Sequence, residues 1–273
     1  MSSNYEENWV NLSASRLNQD CMATLNYRYN EKLVSPPNIY QVLGDVGERG
    51  IEAILRNHSQ AGFDPHIVEA ECWKCLEERI TATELDAPSR QDVQSVIDAV
   101  MQFSPSANYV LRATQEWVEF NRPDIIPRKI RGPLDFRGEE YGRVVIDDTK
   151  VSGRMVNKPK KEWILQLGVY ALAVKQMLSL DYLPTARIIF LYRGKTPSCK
   201  VMEIDLSAEA ISDIFIAARN IEQCIQSGYW PPNRRSQYCN EWNCNFWFRC
   251  HEDYLVSMDV LLNENMSTLP RFT

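Results

Sequence analysis

The chain is short of histidine, has no glycine-rich phosphate loop and carries no long apolar run. Each absence removes a class of function. Three histidines in 273 residues, His58, His66 and His251, leave little material for a His-based metal hydrolase. No G-x-x-x-x-G-K-[ST] stretch occurs, so an ATP-driven helicase is not expected on this chain. No segment approaches the roughly 20 apolar residues of a membrane span. The opening MSSNYEENWVNLSAS also lacks a basic stretch followed by an apolar one. The expectation is a soluble, intracellular, cytoplasmic protein. A net charge of −6 argues against a protein that coats nucleic acid by bulk electrostatics. No internal repeat or low-complexity tract is visible.

What is present fits a single domain over residues 1–273, since 44% hydrophobic residues can build a sizeable core. Residues 1–108 read as mainly helical. LSASRLNQDCMATLNYRYNEKL predicts a helix carrying Cys21, with Ser13 as N-cap, and further helical stretches follow to Phe103. From Tyr109 the pattern changes. VLRATQEWVEF, KIRGPLDFRG and GRVVIDDTKVSG predict three strands in a meander. KKEWILQLGVYALAVKQML predicts a helix, TARIIFLYRG and CKVMEIDLS two more strands, and AEAISDIFIAARNIEQCIQ a closing helix. That order, over 109–227, indicates a mixed α/β sheet with helices packed against it. Residues 228–273 form a cysteine-rich C-terminal segment.

The densest chemistry lies in the meander. In RVVIDDTKV, alternation puts Asp148 and Lys150 on one face and Asp147 on the other. In the preceding strand, GPLDF brings Asp135 beside them if the two strands form a hairpin. Two carboxylates and a lysine can hold a hard divalent cation and orient a water against a phosphodiester, with Lys150 meeting developing charge. Glu116 in TQEWVEF is a further candidate acid. Near the middle of the chain Lys129, Arg131, Lys150, Arg154, Lys158, Lys160 and Lys161 gather into a basic track that could follow phosphates.

Thiols provide the other signal. YCNEWNCNFWFRC places Cys239, Cys244 and Cys250 within twelve residues, and clustered thiols without a secretory context point to metal or redox chemistry. Cys72 and Cys75 share a C-x2-C spacing but fall within a predicted helix with no second pair nearby, which reads as packing. Cys199 and Cys224 read as core residues.

Taken in order, Gly132-Pro-Leu-Asp135, the VIDDTK run with Asp148 and Lys150, and Gln166-x-x-x-Tyr170 resemble the PD-(D/E)XK nucleases. The resemblance is to the RecB-like branch, which includes exonuclease V-like and CRISPR-adaptation-nuclease-like proteins. It implies a restriction-endonuclease-like mixed sheet flanked by helices. It also implies Mg²⁺ or Mn²⁺ held by Glu48, Asp135, Asp148 and the carbonyl of Thr149, catalysis by these acids with Lys150, and substrate contacts from Gln166 and Tyr170. Arg154 and Lys158 would guide phosphates. LGDVGERGIE matches the family's helical frame at Gly44 and Glu52, with Glu48 where histidine is common.

Members with this arrangement bind a [4Fe-4S] cluster through one N-terminal and three C-terminal cysteines, so the resemblance implies Cys21, Cys239, Cys244 and Cys250 as its ligands. The C-terminal spacing here is C-x4-C-x5-C where the family shows C-x2-C-x5-C, and four thiolates also suit Zn²⁺. The expected activity is a DNA nuclease, an exonuclease on single strands or ends, in repair or recombination. The alternatives are a non-catalytic DNA-binding scaffold that keeps the fold, and a zinc-stapled interaction module.

Overall fold

The structure is a computed structural model that describes residues 11–17, 21–33, 38–58, 62–83, 85–236, 239–241 and 244–253. The opening stretch read above for a leader lies largely outside them. The chain divides into two compact units, one of Val10–Asn18 with Pro37–Asn220, the other of Met1–Trp9, Gln19–Pro36 and Ile221–Thr273.

In the larger unit, strand β1 (Asn11–Ser13) leads into a 3-10 turn. Helices α2 (Ile39–Asn57), α3 (Pro65–Thr83) and α4 (Arg90–Val100) follow; α1 (Met22–Tyr29) belongs to the smaller unit. Helix α2 starts where Asn38 closes a capping box. Its side chain accepts from the backbone N–H groups of Tyr40 and Gln41 while Gln41 accepts from the Asn38 N–H. One stripe of α2, including Val46, Ile51 and Ile54, is fully buried with Val96, Ile97 and Val100 of α4 and with Cys72 and Cys75 of α3. Cys72 and Cys75 are therefore packing residues, as their place in a helix predicted.

The meander is β2 (Tyr109–Phe120), β3 (Lys129–Glu140) and β4 (Arg143–Ser152). Helix α5 (Lys161–Met177), strands β5 (Thr185–Tyr192) and β6 (Ser198–Glu203) and helix α6 (Ala208–Ser227) complete the order. The division between units falls within α6 after Asn220. The result is a mixed sheet in which β3–β4 and β5–β6 are antiparallel and β4–β5 is parallel. A parallel neighbour across a helical crossover is buried on both faces, and β5 accordingly has Ile188, Ile189, Phe190 and Leu191 all buried.

Strand β3 sets the geometry of everything that follows. One edge pairs with β2 along nearly its full length. The other edge pairs with β4 only over Phe136–Glu140, and with β1 only over Lys129–Arg131. Between these stretches the sheet forks. The β3–β4 hairpin closes at Tyr141 and Gly142, both at positive φ, the combination that matches the strand twist in a two-residue turn.

The N-terminal expectation is corrected here. Residues 12–33 are not one helix: Asn11–Ser13 is a strand, and the helix α1 spans Met22–Tyr29 with Cys21 extended at its N-cap. Ser13 caps the 3-10 turn without a side-chain bond to the backbone and meets the Ser15 hydroxyl instead. Three residues cannot display a period of two, and β1 exists because β3 offers it an edge.

In the smaller unit Ala23 and Tyr27 of α1 form a buried cluster with Phe246 and Cys250, and Cys21 and Cys244 pack against it. No helix among the described residues is long and apolar enough to cross a membrane.

Candidate active site

The fork between β3 and β4 holds the meander's acids. Below Phe136 the two strands part, and the Thr149 N–H, which would otherwise need a ladder partner, donates to Asp135 Oδ2 at 2.8 Å. A side chain thus replaces a strand-to-strand bond, and the replacement fixes the Asp135 carboxylate beside β4. Asp148 is 1% exposed. Its Oδ2 makes no well-formed hydrogen bond and is in close ionic contact with the Lys150 ammonium. The two residues share a face as alternation predicted.

Glu48 reaches the same charges from α2. Its carboxylate accepts a hydrogen bond from the Gln115 side-chain amide on β2. Burial, reinforced by the negative charges of Asp45 and Asp148, pushes Glu48 up to about 7. Burial and the Asp148 and Glu48 carboxylates likewise hold Asp135 well above the usual carboxylate range, against the opposing pull of Lys150 and the Thr149 N–H. For Lys150, burial alone would favour the neutral amine, but Asp148, Asp135 and Glu48 outweigh it and keep the group charged. Three carboxylates facing one ammonium in a low-dielectric setting repel each other unless protons or a cation intervene.

Helix α5 contributes Gln166 and Tyr170, one turn apart. The Gln166 amide donates to the Tyr170 hydroxyl at 3.2 Å. Burial raises the Tyr170 phenol, with a further push from Asp148 and Asp135, so the hydroxyl lies within their field. The ring fits because residue 132 is glycine: a Cβ there would stand 2.9 Å from the Tyr170 hydroxyl oxygen. Gly132 is thus tied to Tyr170 by close approach.

The remaining sequence candidates separate into those near this cluster and those engaged elsewhere. Thr149 supplies its N–H to Asp135 as described. Glu116 forms a two-pronged pair with Arg137 at 2.6 and 2.9 Å, and Glu52 pairs with Arg56 one turn along its helix. Gly44 has open space around it. Within the basic track, Lys129 pairs with Glu119, Lys160 with Glu162 and Lys161 with Asp213. Arg154 and Lys158 are exposed on the loop after β4 and make no ion pair among the described residues. Among those residues, no three carboxylate, thiol or imidazole groups stand close enough to enclose an ion.

Sequence reasoning missed two contributors. Gln115, at φ 50° within β2, is recognisable only once Glu48 is seen beside it. On the opposite side of β4, Asp147 is 1% exposed and receives Arg187 from β5 at 2.7 and 3.1 Å, while the same guanidinium meets Glu140 at 2.7 Å. That buried pair anchors the strand carrying Asp148. The register Asp147↔Arg187 that creates it is set by β5, forty residues on.

In the smaller unit, burial raises Cys244 and Cys250, and the charges of Cys21 and Cys239 raise both further. The Asn233 N–H points at Cys21 Sγ, 3.4 Å away. The Tyr27 hydroxyl, buried beneath them, donates to Asp253 at 3.0 Å.

Comparison with known proteins gives three findings. The chain matches the family model described as the PD-(D/E)XK nuclease superfamily over residues 11–251. Its fold is similar to that of a Eubacterium rectale protein provisionally named an exonuclease, at a TM-score of 0.50 and 13% identity, covering 86% of this chain and 89% of the other. A stretch of 102 residues is 33% identical to histidinol dehydrogenase 2 of a Nostoc strain. That stretch is 37% of this chain and only 22% of the relative, and it carries no activity across. The family match takes in the forked strands, the acid–x–lysine run and the helix of Gln166 and Tyr170, and the mixed sheet is that of a restriction-endonuclease-like fold: this chain belongs to the PD-(D/E)XK nuclease superfamily.

Proposed function

We propose that the chain is a divalent-metal-dependent deoxyribonuclease of the RecB-like branch, acting as an exonuclease on single strands or DNA ends. The observation that carries this reading is the convergence of Glu48, Asp135, Asp148 and Lys150 at the fork of the sheet. The donors suit a hard cation by chemical type. All are carboxylate oxygens, suited to Mg²⁺ or Mn²⁺, and their mutual repulsion is what a bound cation would relieve.

In this reading Glu48, Asp135 and Asp148 hold the metal, with the Thr149 carbonyl as a further ligand. When bound, the metal supplies Lewis-acid polarisation of a phosphodiester oxygen and a more acidic water. Lys150 keeps its proton and presents a fixed positive charge where negative charge grows on the phosphate. Gln166 and Tyr170 position the strand, and Arg154 and Lys158, free of acidic partners among the described residues, steer phosphates towards the fork. That electrostatic share of binding weakens with salt.

The four thiols are assigned to a structural [4Fe-4S] cluster. Cys21, Cys239, Cys244 and Cys250 fit it by donor type, and the Asn233 N–H at Cys21 is the kind of donor that favours an anionic sulfur. Their part is to fasten the C-terminal segment to α1.

The test is digestion of end-labelled single- and double-stranded DNA by anaerobically purified protein with Mg²⁺ or Mn²⁺, alongside Lys150→Ala. Cleavage that needs the metal is expected, slowed about 10²- to 10³-fold in the variant with its fold intact by circular dichroism. Folded wild-type protein that leaves every substrate uncut with both metals would overturn the reading. The product ladder gives polarity, and absorbance of the same sample separates iron–sulfur from colourless zinc.

A further inference from the structure

A large aromatic side chain stands in water beside the fork. Trp117 of β2 is 65% exposed, although its strand neighbours Val118 and Phe120 are buried. The core does not use this indole. On β3 the residues of one row, Lys129, Arg131 and Pro133, are exposed while Ile130, Gly132 and Leu134 are buried. Asp135, half-buried, is the next member of that row. Trp117 pairs across the ladder with Pro133, so it shares that face with Asp135 and sits about 7 Å from it along the strand direction, two residues at the usual rise.

The surroundings identify an occupant. Arg131 lies over the Trp117 ring, its Cζ 5.4 Å from the centroid. Arg131 makes no ion pair among the described residues, because Lys129 takes Glu119, the acid opposite Arg131. The other neighbours in the row, Gln115 and Glu119, are polar and exposed. A protein partner would favour a contiguous apolar patch, and here there is one aromatic face, one unpaired guanidinium and a row leading to a catalytic acid. A nucleotide fits this set: its base stacks on a π-face and its phosphate takes the guanidinium.

We infer that Trp117 and Arg131 form a base-stacking platform that seats a nucleotide of single-stranded DNA next to the cleavage site, a reading that takes its ligand from the nuclease function proposed above. One face of the indole carries the guanidinium and the other receives the base. Trp117 is a substrate-positioning residue, and it selects unpaired over paired strands, since a base within a duplex offers no free face.

The experiment measures binding without metal, in EDTA, of a fluorescently labelled oligothymidylate of about a dozen nucleotides and of an abasic sugar–phosphate chain of equal length. Trp117→Ala is expected to weaken oligothymidylate binding roughly 5- to 150-fold, leave the abasic chain unaffected, and be rescued by Trp117→Phe. Equal affinity of wild type and Trp117→Ala for oligothymidylate would overturn the platform. So would an equal loss on both chains, or sedimentation showing that Trp117→Ala merely dissociates a dimer of this protein. Metal-dependent cleavage on the same samples keeps the two readings apart. Wild type that cuts DNA with Trp117-independent binding sinks the platform alone, whereas Trp117-dependent binding without cleavage sinks the catalytic reading and leaves the platform standing.

Discussion

The two groups of candidate ligands are made of opposite materials and held by opposite means. The oxygen donors Glu48, Asp135 and Asp148 belong to long elements of one sheet and its helix, fixed by ladders, a buried ion pair and the apolar stripe of α2. The sulfur donors Cys21, Cys239, Cys244 and Cys250 lie at the N-cap of a short helix, in irregular chain and, for Cys250, in a helical turn over 247–253, beside a small apolar cluster. The scaffold of the first group is fixed by its own packing and hydrogen bonds, against repulsion among the acids. Among the described residues the second group has few buried neighbours, so in the reading proposed above a cluster on the thiols would supply much of the local order. A hard cation would then be a guest at a preformed fork, and the cluster part of the construction.

The largest effect that sharpens this contrast is on the sulfur side. Cys21 and Cys250 lie more than two hundred positions apart in sequence. In the chain-entropy account, a covalent link closing a loop of that size stabilises by about 5 kcal/mol. Cys250→Ser is expected to lose iron and to approach that deficit in guanidinium unfolding monitored by far-ultraviolet circular dichroism. EDTA treatment sufficient to strip Mg²⁺ should leave the wild-type midpoint nearly unmoved. A variant that keeps its midpoint and iron content would reduce Cys250 to a packing residue and erase the contrast.

Within the sheet, the neighbours Asp147 and Asp148 make the same distinction on a smaller scale. Arg187→Met strands Asp147 and Glu140 without their cation in a buried setting, which costs about 3–5 kcal/mol. Asp148→Asn removes one of three mutually repelling acids, so unfolding of the metal-free protein should be unchanged or shifted towards greater stability while cleavage is lost. Urea titration of both proteins checks the pair. If Asp148→Asn proved the more destabilising, Asp148 would be a structural anchor and the repulsion argument would fail.

Much of this was legible in the amino-acid order, and the pattern of what was not is instructive. Alternation in RVVIDDTKV separated Asp147 from Asp148 because a period of two is local. The meander, the crossover helix and the last two strands followed from the same local rule. The acid–x–lysine run and Gln166-x-x-x-Tyr170 were visible as spacings on single elements. The fork was not, because it arises from β3 exchanging one partner for another, and β1 has only three residues to announce itself. Gln115 and Arg187 take their roles from neighbours remote in sequence, 67 and 40 residues away. Exposure of Trp117 could not be read from a strand in which an aromatic is ordinarily a core residue. The misplaced helix at residues 12–33 came from treating helix-compatible composition as continuous, when Cys21 in fact opens α1 from an extended conformation.

The smallest effect, and the one that reads the acid cluster most directly, is the pH dependence carried by Glu48. Burial, with Asp45 and Asp148 nearby, places its folded pKa at about 7 against an ordinary 4.5. A carboxyl raised on folding holds its proton more tightly in the native state. Its contribution to stability is therefore complete below about pH 4.5 and is lost as pH rises through 7. Glu48→Gln cannot ionise, so in EDTA it should match wild type near pH 4 and exceed it by about 1–3 kcal/mol near pH 8, measured by urea unfolding at the two values. Mg²⁺ should narrow the gap at pH 8, because it binds the ionised wild-type site and relieves the repulsion that the glutamine variant never had. Equal stability of the two proteins at both pH values would show that Glu48 is relaxed by water and Gln115, and the oxygen site would then lack the unrelieved charge on which its readiness for a cation rests.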